Sequence, residues 1–185
     1  MELQLKESEG REMILAFLDD EDFQNENVVG MWRDQILAGQ DIDCFVDDET
    51  FGLTPNNPVP VNGQIGQLTY LARLRTKDGQ GFFYQRLGSI NSVDKYQLLS
   101  FDGEVSMEVY LDLYHPRRSR KAIPGLDIVS QPSVFTGVPM QVENFPFGIF
   151  DNFAKEQVPR SLANANRDQL SPVLLLLAIK TGFKP

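Results

Sequence analysis

The chain has one cysteine, one histidine and one tryptophan in 185 residues. A lone Cys44 excludes an internal disulfide and any site built from several cysteines. A lone His115 leaves one side chain whose ordinary pKa lies near neutrality, so acid–base chemistry at that pH would centre on it. Long apolar runs are also missing. The longest, Val173–Ile179, has seven residues, far below the roughly 20 that span a bilayer. The opening Met-Glu-Leu-Gln-Leu-Lys-Glu has neither a basic n-region nor an apolar h-region, so no secretory signal is expected. These readings predict a cytoplasmic protein with no membrane partner.

Catalytic and cofactor signatures are absent as well. There is no Gly-x-Ser-x-Gly elbow. Gly79-x-Gly81 falls on a predicted hairpin, not between a strand and a helix where a phosphate loop belongs. Asp41, Asp43, Asp47, Asp48 and Glu49 lie close together but lack the spacing and the glycine of a calcium loop. No metal and no cofactor are expected.

Positive charge is scarce. A net charge of −9 argues against nucleic-acid binding, which needs cations to replace phosphate counterions. The layout is uneven: residues 1–60 carry fifteen acids and three bases, a net of −12, while residues 61–185 carry a net of +3. The two parts attract one another or present opposite faces to partners.

What is present is hydrophobic pattern. Met13, Ile14, Phe17 and Leu18 form a helical stripe over 8–20, with Ser8 as N-cap and the run Asp19–Asp22 as interruption. Val28, Val29, Trp32, Ile36 and Leu37 share the face of a second helix over 27–38, closed by Gly39. Pro55, Pro58 and Pro60 make 40–63 a long connection, with a short strand around Cys44–Val46. From Ile65 to His115 four strands are predicted. The first alternates Leu68, Tyr70, Ala72 and Leu74 with Thr69 and Arg73, the second spans Phe82–Leu87, and the third Val93–Ser100. The fourth alternates Val105, Met107, Val109, Leu111 and Leu113 with polar residues. Asp78-Gly79 and Asp102-Gly103 are the predicted hairpin turns, each needing positive φ at both positions. Further on come short strands at Leu126–Val129 and Met140–Glu143, the aromatic patch Phe145–Phe150, and an apolar segment Val173–Thr181 that fits either helix or strand.

The expected fold is α+β: an N-terminal helical pair packed on an antiparallel β-meander sheet of about four to six strands. One domain, 1–185, divides into a helical arm (1–39), an acidic and proline-rich connection (40–63) and the β-meander (64–116). A basic lip, a Pro/Phe-rich segment and a C-terminal apolar element fill 117–185.

Three candidate sites follow. Arg117, Arg118, Arg120 and Lys121 form an anion- or partner-binding lip, since the planar guanidinium fork suits carboxylate and phosphate. Arg73, Arg75 and Arg86 would add to it if the strands align. The opposing reading is an internal clamp, with these cations paired to the acidic arm. Asp19, Asp20, Glu21 and Asp22 are the acidic partner-binding candidates. His115, with Asp112 and Tyr114 on the adjoining strand, is the weak catalytic candidate. The leading expectation is a non-enzymatic protein–protein interaction module of adaptor, inhibitor or immunity type. The alternatives are a small hydrolase or transferase on an anionic substrate with His115 as general base, and an assembly subunit forming a homo-oligomer through Phe145–Phe150.

Overall fold

The acidic run 19–22 interrupts helical backbone at Asp20 and opens the next helix at Glu21. Asp20 holds extended backbone and its Oδ1 accepts the Phe23 N–H at 3.0 Å, while Glu21 and Asp22 stand in the first turn, where the helix dipole favours carboxylates. Helix α1 is Glu21–Glu26 and α2 is Gly30–Leu37. The computed structural model describes residues 19–42, 46–129, 137–141 and 143–147. The predicted helix over 8–20, the strand at Cys44 and the C-terminal apolar segment therefore lie wholly or largely outside the described residues. Met1–Pro139 and Met140–Pro185 are separate compact units.

In the first unit the chain continues through β1 (Val59–Pro60), α3 (Gly63–Arg73), β2 (Leu74–Arg75), β3 (Phe82–Ile90), β4 (Val93–Ser100), β5 (Ser106–Asp112), β6 (Asp127–Ile128) and β7 (Val138–Pro139). The class is α+β. One sheet has the order β1-β5-β4-β3-β7, with an antiparallel centre β5-β4-β3 and a short parallel strand on each edge. β2 and β6 form a separate antiparallel pair.

The predicted first strand of the meander is the helix α3. Tyr70, Leu71 and Leu74 turn inward at helical spacing, while Leu68 is exposed. Thr69 and Arg73 also turn inward, to polar partners, so the residues that read as a wet strand face are buried. Two faces of a largely buried helix imitated alternation.

Of the two predicted hairpin turns, Asp102-Gly103 closes a hairpin and Asp78-Gly79 does not. Asn91 and Ser92 both hold positive φ and join β3 to β4, as a two-residue primed turn requires. At Asp102-Gly103, which joins β4 to β5, only Gly103 has positive φ. Asp78-Gly79 turns the chain into β3, but β2 pairs with β6 and no hairpin forms there.

The core lies on one face of the sheet. Phe82 and Tyr84 of β3, Tyr96 and Leu98 of β4, and Val109 and Leu111 of β5 pack with Tyr70 and Leu71 of α3 and Leu74 of β2. Phe51, Val59, Ile123 and Leu126 close its margins. In the second unit, residues 143–147 form a turn in which Phe147 is exposed and Phe145 buried.

Candidate functional site

The basic segment follows β5 directly, and Ser119 N–H donates to Pro60 O at 2.8 Å, which lays it along the edge strand β1. Its cations meet the acidic third of the chain. Arg117 reaches Asp41 through two contacts, Nε–Oδ1 at 2.7 Å and Nη2–Oδ2 at 2.6 Å, with both side chains about half exposed. Lys121 Nζ pairs with Asp47 and sits 4.5 Å from the centre of the Phe51 ring, a cation–π placement. The Arg117 guanidinium, with the Ile42 N–H, holds the Asp41 carboxyl below its ordinary pKa.

Arg118 is different. Its side chain has no solvent exposure, Nη1 donates to Thr69 Oγ1 at 2.7 Å, and Nη2 lies 3.4 Å from Asp19 Oδ1. Arg73, also buried, reaches the same Asp19 oxygen. Two guanidiniums thus converge on one carboxylate whose own side chain is 58% exposed. Burial pulls the Arg118 pKa down, and the Arg73 charge pulls it further, to about 10; Glu21 and Asp19 act in the opposite direction. Arg120 is exposed.

Of the other candidate arginines, only Arg73 joins this cluster. It does so from a helix. Arg75 donates to the carbonyls of Ala72 and Leu74, and Arg86 pairs with Asp94 at 2.8 Å. The spacing of Thr69 and Arg73, four apart on one helix face, was the available signal, and assigning a strand there concealed it.

The four acids of 19–22 separate into two groups. Asp19 faces the arginine pair, whereas Asp20 caps α1 and Asp22 lies exposed beside it. Glu21 is half-buried, with Oε1 shielded from solvent. The arm is held down chiefly by amides. Asn62 Nδ2 donates to Gln24 Oε1 at 2.9 Å and Asn25 Oδ1 at 3.2 Å, and Asn25 Nδ2 donates to Pro116 O at 2.9 Å.

His115 is buried and serves as a clip. Nδ1 lies 2.6 Å from Gln40 O, which can only accept, and Nε2 lies 3.2 Å from Asp112 Oδ2. Burial pushes the ring pKa down, but Asp112 and the Gln40 carbonyl outweigh it and the net shift is upward. Tyr114 sits apart, stacked on Trp32 with ring centroids 6.2 Å apart. Nδ1 of His115 is thus turned to the Gln40 carbonyl and Nε2 toward the Asp112 carboxylate, an arrangement that ties the loop at Gln40 to the end of β5.

One polar cluster escaped the sequence reading. Gln67 Nε2 donates to Asp94 Oδ2 at 3.1 Å and its Oε1 accepts from Tyr96 at 2.8 Å, while Arg86 and Ser89 Oγ reach Asp94 Oδ1. These groups satisfy one another and bind α3 to the sheet. Among the described residues no group of three or more His, Cys, Asp or Glu is placed to hold a metal, and no helix is long and apolar enough to cross a membrane. No protein-family model, curated protein or solved structure matches the chain.

Proposed function

We propose that this chain is a non-enzymatic protein-interaction module whose contact surface is the outer side of the α1–α2 arm. The observation that carries the reading is apolar exposure on an acidic element. Val29 and Met31 are 74% and 67% exposed, and Trp32 and Leu37 nearly half exposed, among the carboxylates of Asp20, Asp22, Glu26 and Asp34. Tryptophan and methionine exposed within a charged rim form the composition of an interface centre. The complementary partner is a protein with a basic rim around an apolar pocket, which an adaptor, inhibitor or immunity-type protein would cover. The internal pairing of Arg117, Arg118 and Lys121 supports assigning contact to the arm over the basic lip.

The test is affinity capture from native cell extract at low and high salt, comparing the wild type with Met31→Ser/Trp32→Ala and with Asp22→Asn/Glu26→Gln/Asp34→Asn. Loss of the captured partner in the first variant, and its weakening both in the second and by salt, is the expected result. A partner retained by both variants, or no partner at all, sinks the arm reading.

A further inference from the structure

Asn62 stands at the N-cap of α3 and does not cap it. Its side chain makes no hydrogen bond to the first turn of the helix. It turns instead to the arm, where Nδ2 donates to Gln24 Oε1 and Asn25 Oδ1, while its own Oδ1 is buried without a hydrogen-bond partner. The sense of these amides is fixed from outside. Asn25 Nδ2 donates to Pro116 O, a carbonyl that can only accept, so Asn25 Oδ1 is the atom that faces Asn62. The clasp therefore needs a donor at position 62, and the Asn62 amide nitrogen supplies it. The next residue is held as glycine: Gly63 has φ +68°, and a Cβ there would lie 2.9 Å from Ile36 Cδ1. Asn-Gly is the pair in which the following backbone nitrogen is least hindered from attacking the side-chain amide. In the closed fold that attack is held off. Asn62 is fully buried, its Nδ2 is engaged, and the Gly63 N–H donates to Leu113 O at 2.9 Å.

We propose that Asn62–Gly63 is a deamidation site, uncovered when the arm opens, and that its reaction then releases the arm irreversibly. With the arm lifted and the bond to Leu113 O open, the Gly63 nitrogen loses its proton to solvent base and bonds to Asn62 Cγ. The Cγ–Nδ2 bond breaks and the nitrogen leaves as ammonia, protonated by water. Water then opens the resulting succinimide to aspartate or isoaspartate, so amide plus water becomes acid plus ammonia. The product carries a carboxylate where the clasp needs a donor, and closing the arm would bury that charge against two carbonyl oxygens. The N-terminus of α3 favours the same carboxylate, since an N-cap oxygen accepts from the second or third N–H of a helix. Asparagine holds the arm, and the aspartate formed from it caps the helix. The inference is independent of the arm's partner and survives if that reading fails.

The experiment is incubation of wild type and Asn25→Ala at mildly alkaline pH, with peptide mapping by mass spectrometry to follow ammonia loss at residue 62. Asn25→Ala breaks the clasp from the arm's side and leaves the Asn62–Gly63 pair intact. It is expected to speed deamidation there by about tenfold, the change in opening that loss of a clasp hydrogen bond gives. An unchanged rate, or no deamidation at residue 62 in either protein, overturns the proposal. If Asn25→Ala does not fold, wild type in urea below its global transition takes its place and is judged by the same rates. Release itself is read from Trp32 fluorescence in Asn62→Asp without denaturant. A spectrum shifted to that of a solvated indole is expected, and a wild-type spectrum overturns the release. If Asn62→Asp does not fold, the deamidated fraction of wild type, isolated by anion exchange, decides. Solvated Trp32 with the sheet retained by circular dichroism supports release, and a wild-type spectrum or a lost sheet overturns it.

Discussion

His115 Nδ1 donates to the carbonyl oxygen of Gln40 across 2.6 Å, tying the exit of the last central strand to the end of the helical arm, 75 residues earlier. Asp112 faces the other ring nitrogen. The only histidine is therefore a fastener between the acidic third and the sheet, and its titration governs how firmly the two are joined.

Stability is expected to fall as pH rises past neutrality. The folded ring's pKa lies above its ordinary 6.5, so its contribution is complete below about 6.5 and disappears as pH rises through the folded value. Asp112 sets the acid limit. Burial pushes its pKa up, but the His115 ring and the Tyr114 N–H hold it below 3.8, so its contribution is present above 3.8 and is lost as pH falls through the lowered value. Thermal melting of wild type and His115→Gln across this range should show the slope above neutrality only in wild type. Parallel curves would remove His115 from this role.

Two neighbouring arginines should respond unequally to truncation. Arg118→Ala takes a fully buried guanidinium from Arg73, Thr69 and Asp19 and is expected to cost about 3 kcal/mol by urea denaturation. Arg117→Ala opens a pair that water already reaches and should leave the midpoint close to that of wild type. Equal losses would mean that burial does not separate them.

The glycines offer a test of close approach. A Cβ at position 39 would lie 1.8 Å from the Tyr114 carbonyl oxygen, a backbone atom, so Gly39→Ala should cost about 2–3 kcal/mol. At position 66 it would lie 2.1 Å from Asn62 Oδ1 and disturb the clasp on the arm, with a loss of about 1–3 kcal/mol. Gly30 meets nothing within 4 Å at the start of α2, and Gly30→Ala should be neutral or stabilising by up to about 1 kcal/mol. Chemical denaturation of the three variants ranks them, and an unaffected Gly39→Ala would contradict the contact.

The arm should loosen when its clasp is cut. Asn62→Ala removes donors to Gln24 and Asn25, leaves their buried oxygens without those hydrogen bonds, and is expected to destabilise by about 1–3 kcal/mol. Trp32, the sole tryptophan, stacks on Tyr114 and reports the arm's position. Its fluorescence in Asn62→Ala should shift toward that of a solvated indole at denaturant concentrations below global unfolding. Coincident transitions would mean the arm and the sheet separate as one unit.

Much of the architecture was legible as local pattern. The strand Val93–Ser100, the alternation of Val109 and Leu111, the helix ending near Leu37 and the short strand near Asp127 all follow from period and turn chemistry acting over a few residues. The helix Gly63–Arg73 was hidden for a physical reason. Its inward Thr69 and Arg73 are polar, and their partners across the fold, Arg118 and Asp19, lie about 50 residues away in either direction along the chain. The composition by itself determined that an acidic third and a basic segment coexist, either to attract one another or to present opposite faces to partners. Only the tertiary structure decided which charges meet. Laying the 117–121 segment along β1 places Arg117 against Asp41 and Lys121 against Asp47 at the surface, and sends Arg118 inward to share Asp19 with a helix. Pairing of this kind depends on distances set by backbone packing, and residue spacing along the chain does not encode them.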